Sequence, residues 1–240
     1  MAAQSKLNPK VVLGVAAHPD DLDFGMSGAA ATWAAEGAAV YYLLLTDGSK
    51  GSADPHISSS DLIKIRRREQ QTAAKILGLK QVFFLDYEDG LLENNVAVKR
   101  DIARVIRQVK PEVVVTMDPT IAYWVEIGYI NHPDHRAAGQ ATLDAVFPLA
   151  RDHLSFPELL AEGLQPHKVT TVLLMRFGNE SFVVDISLHI DKKLKALAAH
   201  ASQVANVEET HQIVKDWAKR AGESAGYDYA ESFLRIDIPD

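Results

Sequence analysis

Four short, mostly apolar runs alternate with segments of helical character, and this alternation limits the fold more than any other feature of the chain. The runs are Val11–Ala17, Val40–Leu45, Gln81–Leu85 and Val113–Met117. Between them lie a small-residue stretch from Gly25 to Glu36 ending at Gly37, a long segment from Ser59 to Leu77 stopped by Gly78, and a third from Asn95 to Lys110 before Pro111. Glycine after the last helical residue and proline just beyond it are helix stop signals. Strands separated by helices imply βαβ units and a parallel sheet. Such crossovers are right-handed, which leaves an α/β, doubly wound, mainly parallel sheet flanked by helices. Further on, a helix is expected from Asn131, its cap, to about Val146, and strands at Val169–Met175 and Phe182–Val184. Two amphipathic helices, Ser187 to about Ser202 and Glu208 to Arg220, close the pattern. No repeat, low-complexity tract or linker interrupts it. One domain over residues 1–240 is expected, with a helical portion from about 187 to 240 packed on it.

Composition removes several classes of function. Lys plus Arg is 25 and Asp plus Glu is 32, a net charge of −7, which disfavours nucleic-acid binding because phosphate contacts need clustered cations. There are no cysteines, so any metal must be held by histidines and carboxylates. MAAQSKLNPK has no apolar signal-peptide core, and no apolar run approaches the roughly 20 residues of a membrane span. A cytoplasmic protein without a transmembrane segment is the expectation.

In open α/β sheets ligands bind beyond the carboxyl ends of the strands. The segments following the four runs read HPDD, TDG, DYEDG and MDP, so acids and a histidine collect on one edge. Two of the chain's motifs share their first three residues: His18-Pro19-Asp20-Asp21 and His132-Pro133-Asp134-His135. His18 and Asp21, three apart past a strand end, can ligate one ion, since Zn²⁺ accepts both N and O donors. HPDD alone also suits a polar turn capping a helix. In the second motif, His132 and His135 share the helix face of Ala138, Gly139 and Thr142, which turns both imidazoles toward the sheet. HPDH alone also suits histidines bonded to backbone. Together the motifs supply two histidines and an aspartate for a metal, with acids and a histidine in reserve. Three protein ligands with a position left for water is the catalytic arrangement. Asp20 is then placed to be a general base, His132 a donor and acid, and Asp134 a residue that orients an imidazole. In Ile65-Arg66-Arg67-Arg68-Glu69, Arg66 shares the apolar azimuth of Leu62, Ala73 and Leu77, so it is the arginine expected to reach inward and bind a polar substrate.

The segments AHPDDLDFG, LLLTDGSKGS, IRRREQQTAAKILGL, FLDYEDG, NHPDHRAAG and LKALAAHASQ, over about residues 11 to 203, resemble the LmbE-like or PIG-L family of zinc-dependent N-acetylglucosaminyl deacetylases. The resemblance implies a Rossmann-like fold and one zinc held by His18, Asp21 and His135. It implies Asp20 as general base, His132 with Asp134 beside it at the oxyanion and leaving group, and Arg66 in contact with substrate. Leu22 and Asp23 stand where many members carry glutamates, and Ile130 where some carry a tyrosine, with Tyr129 one position earlier. The loop from Thr120 to Ile130, with Tyr123, Trp124 and Tyr129, is expected to line the pocket. A small amino-sugar substrate follows, as does a possible homo-oligomer, because the family includes hexamers. Fe²⁺ can replace zinc in a His/carboxylate site. The rival reading is a metal-dependent amidase acting on another amide, such as a thiol conjugate. A dinucleotide-binding protein is disfavoured, since Gly14 is followed by Ala16 and His18-Pro19 rather than G-x-G-x-x-G.

Overall fold

The structure, a computed structural model, describes residues 6–125, 128–176, 182–223 and 225–239. Residues 1–5 of the N-terminal stretch, and Glu126 and Ile127 of the loop expected to line the pocket, lie outside the described residues. The chain order is β1 (Val11–Ala16), α1 (Asp21–Gly25), α2 (Ser27–Ala35), β2 (Ala39–Thr46), α3 (Ser59–Leu77), β3 (Gln81–Tyr87), α4 (Val96–Val109) and β4 (Val113–Met117). A two-stranded hairpin follows, β5 (Tyr123–Trp124) and β6 (Tyr129–Ile130), and then α5 (Pro133–Asp144) and α6 (Pro157–Ala161). The remainder is β7 (Thr171–Met175), β8 (Phe182–Asp185), α7 (Ile190–Ala198), α8 (Val207–Glu223) and β9 (Ala230–Asp237).

The main sheet has seven strands in the order β3-β2-β1-β4-β7-β9-β8. The run from β3 to β7 is parallel throughout, as the alternation requires. The chain goes outward from β1 to β3, then returns to the other side of β1 as β4. The strand order therefore reverses between β1 and β4, and at such a switch point the loops leaving two neighbouring strands part and open a crevice.

The closing segment is not helical alone, contrary to expectation. β9 enters the sheet between β7 and β8, antiparallel to both. The expected helix Gly25–Glu36 is α2, and a further short helix precedes it. This short helix, α1, starts at Asp21, and Met26 with φ −144° separates it from α2. The cap expected at Asn131 is His132, whose side chain accepts from the Asp134 amide.

Helices cover both faces of the sheet. On one side α2, α3, α7 and α8 pack through residues such as Trp33, Leu77, Leu197 and Val214. On the other, α4 and α5 pack through Ile102, Ile106, Ala138 and Ala141. The cause is visible in α4. Val98, Ile102, Val105 and Ile106 recur at i, i+4, i+7 and i+8 and are all buried, and Asn95 caps the first turn by accepting from the Val98 amide. Each such burial contributes about 1.5–3 kcal/mol. Among the described residues no helix is long and apolar enough to cross a membrane.

Candidate active site

The loops leaving β1 and β4 meet at the switch point and carry the two motifs to each other. The His18 ring lies edge-on to that of His132, with centroids 4.7 Å apart, and 5.3 Å from that of His135. The Asp21 carboxylate bridges the two motifs. Its Oδ2 is 3.3 Å from His18 Nδ1 and its Oδ1 is 3.1 Å from His135 Nε2. Burial opposes charge on Asp21, but His135 and His18 hold it well below the usual carboxylate range.

His18 is the hub. Its backbone amide donates to Asp21 Oδ2 at 2.8 Å, and its Nε2 lies 3.2 Å from both Asp134 Oδ2 and Asp89 Oδ1. Burial works against the imidazolium, yet Asp21, Asp134 and Asp89 override it and push His18 up to about 12. Asp134 is fully buried, and its carboxylate also accepts from the amides of Gly90 and Leu92. Asp134 therefore does touch an imidazole, but that of His18 across the motifs rather than that of its neighbour His132. His132 spends Nδ1 on the α5 cap, accepting from the Asp134 amide at 3.2 Å. With Nδ1 an acceptor, the proton of the neutral ring sits on Nε2. Burial and then the adjacent His18 lower the His132 pKa, which favours that neutral form.

Asp20 follows β1 with φ 96°. Burial and the adjacent Asp21 raise its carboxyl to about 7, against the pull of Arg66. Arg66 does reach inward, and its two Nη groups face the loops while its buried Nε has no hydrogen-bond partner among the described residues. It donates to Pro19 O at 2.7 Å, to Lys50 O at 3.3 Å and to Gly48 O at 3.4 Å, and Asp20 Oδ1 lies 3.4 Å away. At 4% exposure this guanidinium braces the loops behind the site.

Two residues of the site were not singled out from the sequence. Asp89 was one of three acids in DYEDG, and nothing local chose among them. Asn131, expected as a cap, instead positions His135. Its Oδ1 lies 3.0 Å from His135 Nδ1, and its amide donates to Ile121 O. Beside Asp21 and His135 a cavity of about 190 Å³ opens, walled by Phe24, Trp124, Tyr129, Met175 and Trp217.

The donor set suits a divalent cation. Ligands about 2.0–2.1 Å from a tetrahedral ion lie roughly 3.3–3.4 Å from one another, close to the spacing of Asp21 from its two imidazoles. Among the described residues, the clusters whose ligand atoms all lie within 4.8 Å of one another are His18, His132 and His135, and His18, Asp89 and Asp134; Asp21 belongs to neither, since it meets His18 and His135 through different oxygens. All are hard or borderline N and O donors.

Over residues 13–146 the chain matches the family model described as PIG-L: GlcNAc-PI de-N-acetylase. The chain belongs to the PIG-L family. It is 34% identical over 226 residues to a diacetylchitobiose deacetylase of Thermococcus kodakarensis, an alignment covering 92% of this chain and 81% of that protein. It is 29% identical to a probable N-acetyl-alpha-D-glucosaminyl L-malate deacetylase of Bacillus anthracis, over 82% of this chain and 83% of the relative. Among solved structures, the N,N'-diacetylchitobiose deacetylase of Pyrococcus horikoshii, complexed with its inhibitor MPG, superposes with a TM-score of 0.87 at 30% identity, covering 96% of this chain and 85% of that one. Both motifs, His18 to Asp21 and His132 to His135, fall within the matched segment.

Proposed function

We propose that this PIG-L family hydrolase removes the N-acetyl group of an N-acetylglucosamine-type sugar or conjugate, releasing acetate and a free amine. The observation that carries this is the meeting of HPDD and HPDH at the switch point beside an aromatic-walled cavity. His18, Asp21 and His135 are the residues proposed to hold a divalent cation, with zinc the metal proposed for their N and O donors. When bound, such an ion supplies Lewis-acid polarisation and lowers the pKa of water.

The chain's own residues supply the rest. Asp20 takes the proton of the attacking water, and a carboxylate tuned to about 7 matches neutral conditions. His132 donates from Nε2 to the oxygen that gains charge and relays to the departing nitrogen the proton that Asp20 took from water. Water adds to the carbonyl carbon, the C–N bond breaks, and the proton from water ends on the amine. Asp134 and Asn131 hold the rings of His18 and His135. The cavity, about the size of one sugar ring, would seat the substrate against Trp124 and Trp217.

The test is acetate release by metal-loaded protein from a panel of N-acetylglucosamine conjugates and chitooligosaccharides, with metal analysis alongside. Acetate from at least one member, dependent on the ion, is expected. No acetate from any, with cleavage of a thiol conjugate instead, would establish the amidase reading.

A further inference from the structure

Four non-glycine residues among those described have positive φ: Asp20 at 96°, Asp86 at 60°, Lys110 at 54° and Phe156 at 56°. Three lie near the left-handed helical value of about 57°; Asp20, with ψ −32°, does not. A conformation of this kind costs about 1–3 kcal/mol and persists only where the surroundings over-determine it.

The surroundings of Asp20 do so from one face of α3. The peptide group joining Pro19 to Asp20 is gripped at both ends. Its carbonyl accepts from Arg66 Nη2 at 2.7 Å, and its N–H donates to Gln70 Oε1 at 3.0 Å. Arg66 and Gln70 are one helical turn apart, and Gln70 is fully buried.

A glutamine amide can present either end, so something must choose. Gln70 Nε2 donates to Asp23 Oδ2 at 2.8 Å, which turns Oε1 toward the Asp20 amide. The same Asp23 oxygen lies 2.8 Å from His200 Nε2, and both residues are fully buried. The loop bearing His200 is tied back to α3, since the Ser202 amide and hydroxyl both donate to Glu69. The orientation thus runs from the loop after α7, through Asp23, to Gln70 and the Asp20 peptide.

We propose that Gln70 is a positioning residue: its amide, oriented by Asp23 and His200, holds the Pro19–Asp20 peptide so that the Asp20 carboxylate points at the reacting water. The proposal rests on Asp20 being the general base. Without the clamp, Asp20 relaxes to negative φ, its carboxylate swings away, and the ligands Asp21 and His18 keep their own contacts. A misplacement of about 1 Å costs on the order of a hundredfold in rate.

The test compares metal-loaded Gln70→Met, which keeps side-chain length and loses the amide, with Gln71→Met on the exposed face of the same helix. For Gln70→Met, kcat is expected to fall about ten- to a hundredfold, with KM within about twofold and metal stoichiometry intact. Gln71→Met should match the parent, and a crystal structure of Gln70→Met should show Asp20 at negative φ. If Gln70→Met does not fold, Gln70→Leu, which also loses the acceptor for the Asp20 amide, should show the same split. An unchanged kcat, a joint loss of kcat, KM and metal, or an Asp20 still at positive φ in the variant overturns the proposal. If the parent releases no acetate from any substrate, the functional reading fails, and the crystal structure of the variant alone decides the clamp.

Discussion

At the scale of single residues, the proposed roles within the two motifs divide into ion holding and proton handling, and substitutions should separate them. Asp20→Asn keeps shape, and asparagine tolerates positive φ, so the variant should fold and bind metal. It loses the proposed base, and turnover should fall about 10²–10⁴-fold. His135→Ala removes a proposed ligand, so metal content and activity should vanish together. Elemental analysis and acetate release on the same samples check both. An Asp20→Asn variant at the parental rate would remove Asp20 from the mechanism. The histidines and paired aspartates were legible in the sequence because their spacing is local: three residues past a strand end, or one turn on a helix face. Asp89 and Asn131 were not. Asp89 reaches His18 through the third loop, and its selection among three neighbouring acids depends on where the backbone points it. Asn131 has the composition of a cap, but the β5–β6 hairpin draws its amide to Ile121 and leaves the capping to His132.

At the scale of elements, the close approach of α5 to β4 sets the position of His135. A Cβ on Gly139 would sit 2.4 Å from the Met117 carbonyl oxygen, a backbone atom that cannot swing aside. Gly139→Ala should therefore push the helix off the strand and destabilise by about 1–3 kcal/mol, read as a lowered urea midpoint. Reduced metal affinity should accompany it. Helix α1 and the loop after α7 are joined by Asp23 and His200. Burial opposes charge on His200, but the Asp23 hydrogen bond and charge, with Asp20 and Glu69 further off, raise it above its ordinary 6.5. A raised histidine contributes stability that is complete below its unfolded pKa and is lost as pH rises through the folded one. The difference in urea midpoint between the parent and His200→Gln should thus be larger at pH 6 than at pH 9; a difference independent of pH would mean that His200 stays neutral.

At the scale of the whole molecule, a metal that binds only the folded state must stabilise it. Removing the ion with a chelator should lower Tm, and adding back stoichiometric zinc should restore it. A Tm unmoved by the chelator would leave the histidine cluster without a cation to explain it. Without the ion the fold should persist, because its core lies on the two faces of the sheet and away from the switch point.

The parallel half of the sheet and the edge on which the acids gather follow from the sequence alone. Apolar runs of strand length alternating with capped helices admit few topologies, and ligand sites in those topologies sit at carboxyl ends of strands. The membership of the two motifs in one site was legible for the same reason. Tertiary structure decided what depends on contacts between distant segments. It placed β9 between β7 and β8, a choice made by pairing across the sheet rather than by the local pattern of AESFLRID. It gave Asp134 to His18, made Arg66 a brace, and set a buried glutamine behind the proposed base. Periodicity tells which face of a helix turns inward; only the packed chain tells which atom it meets there.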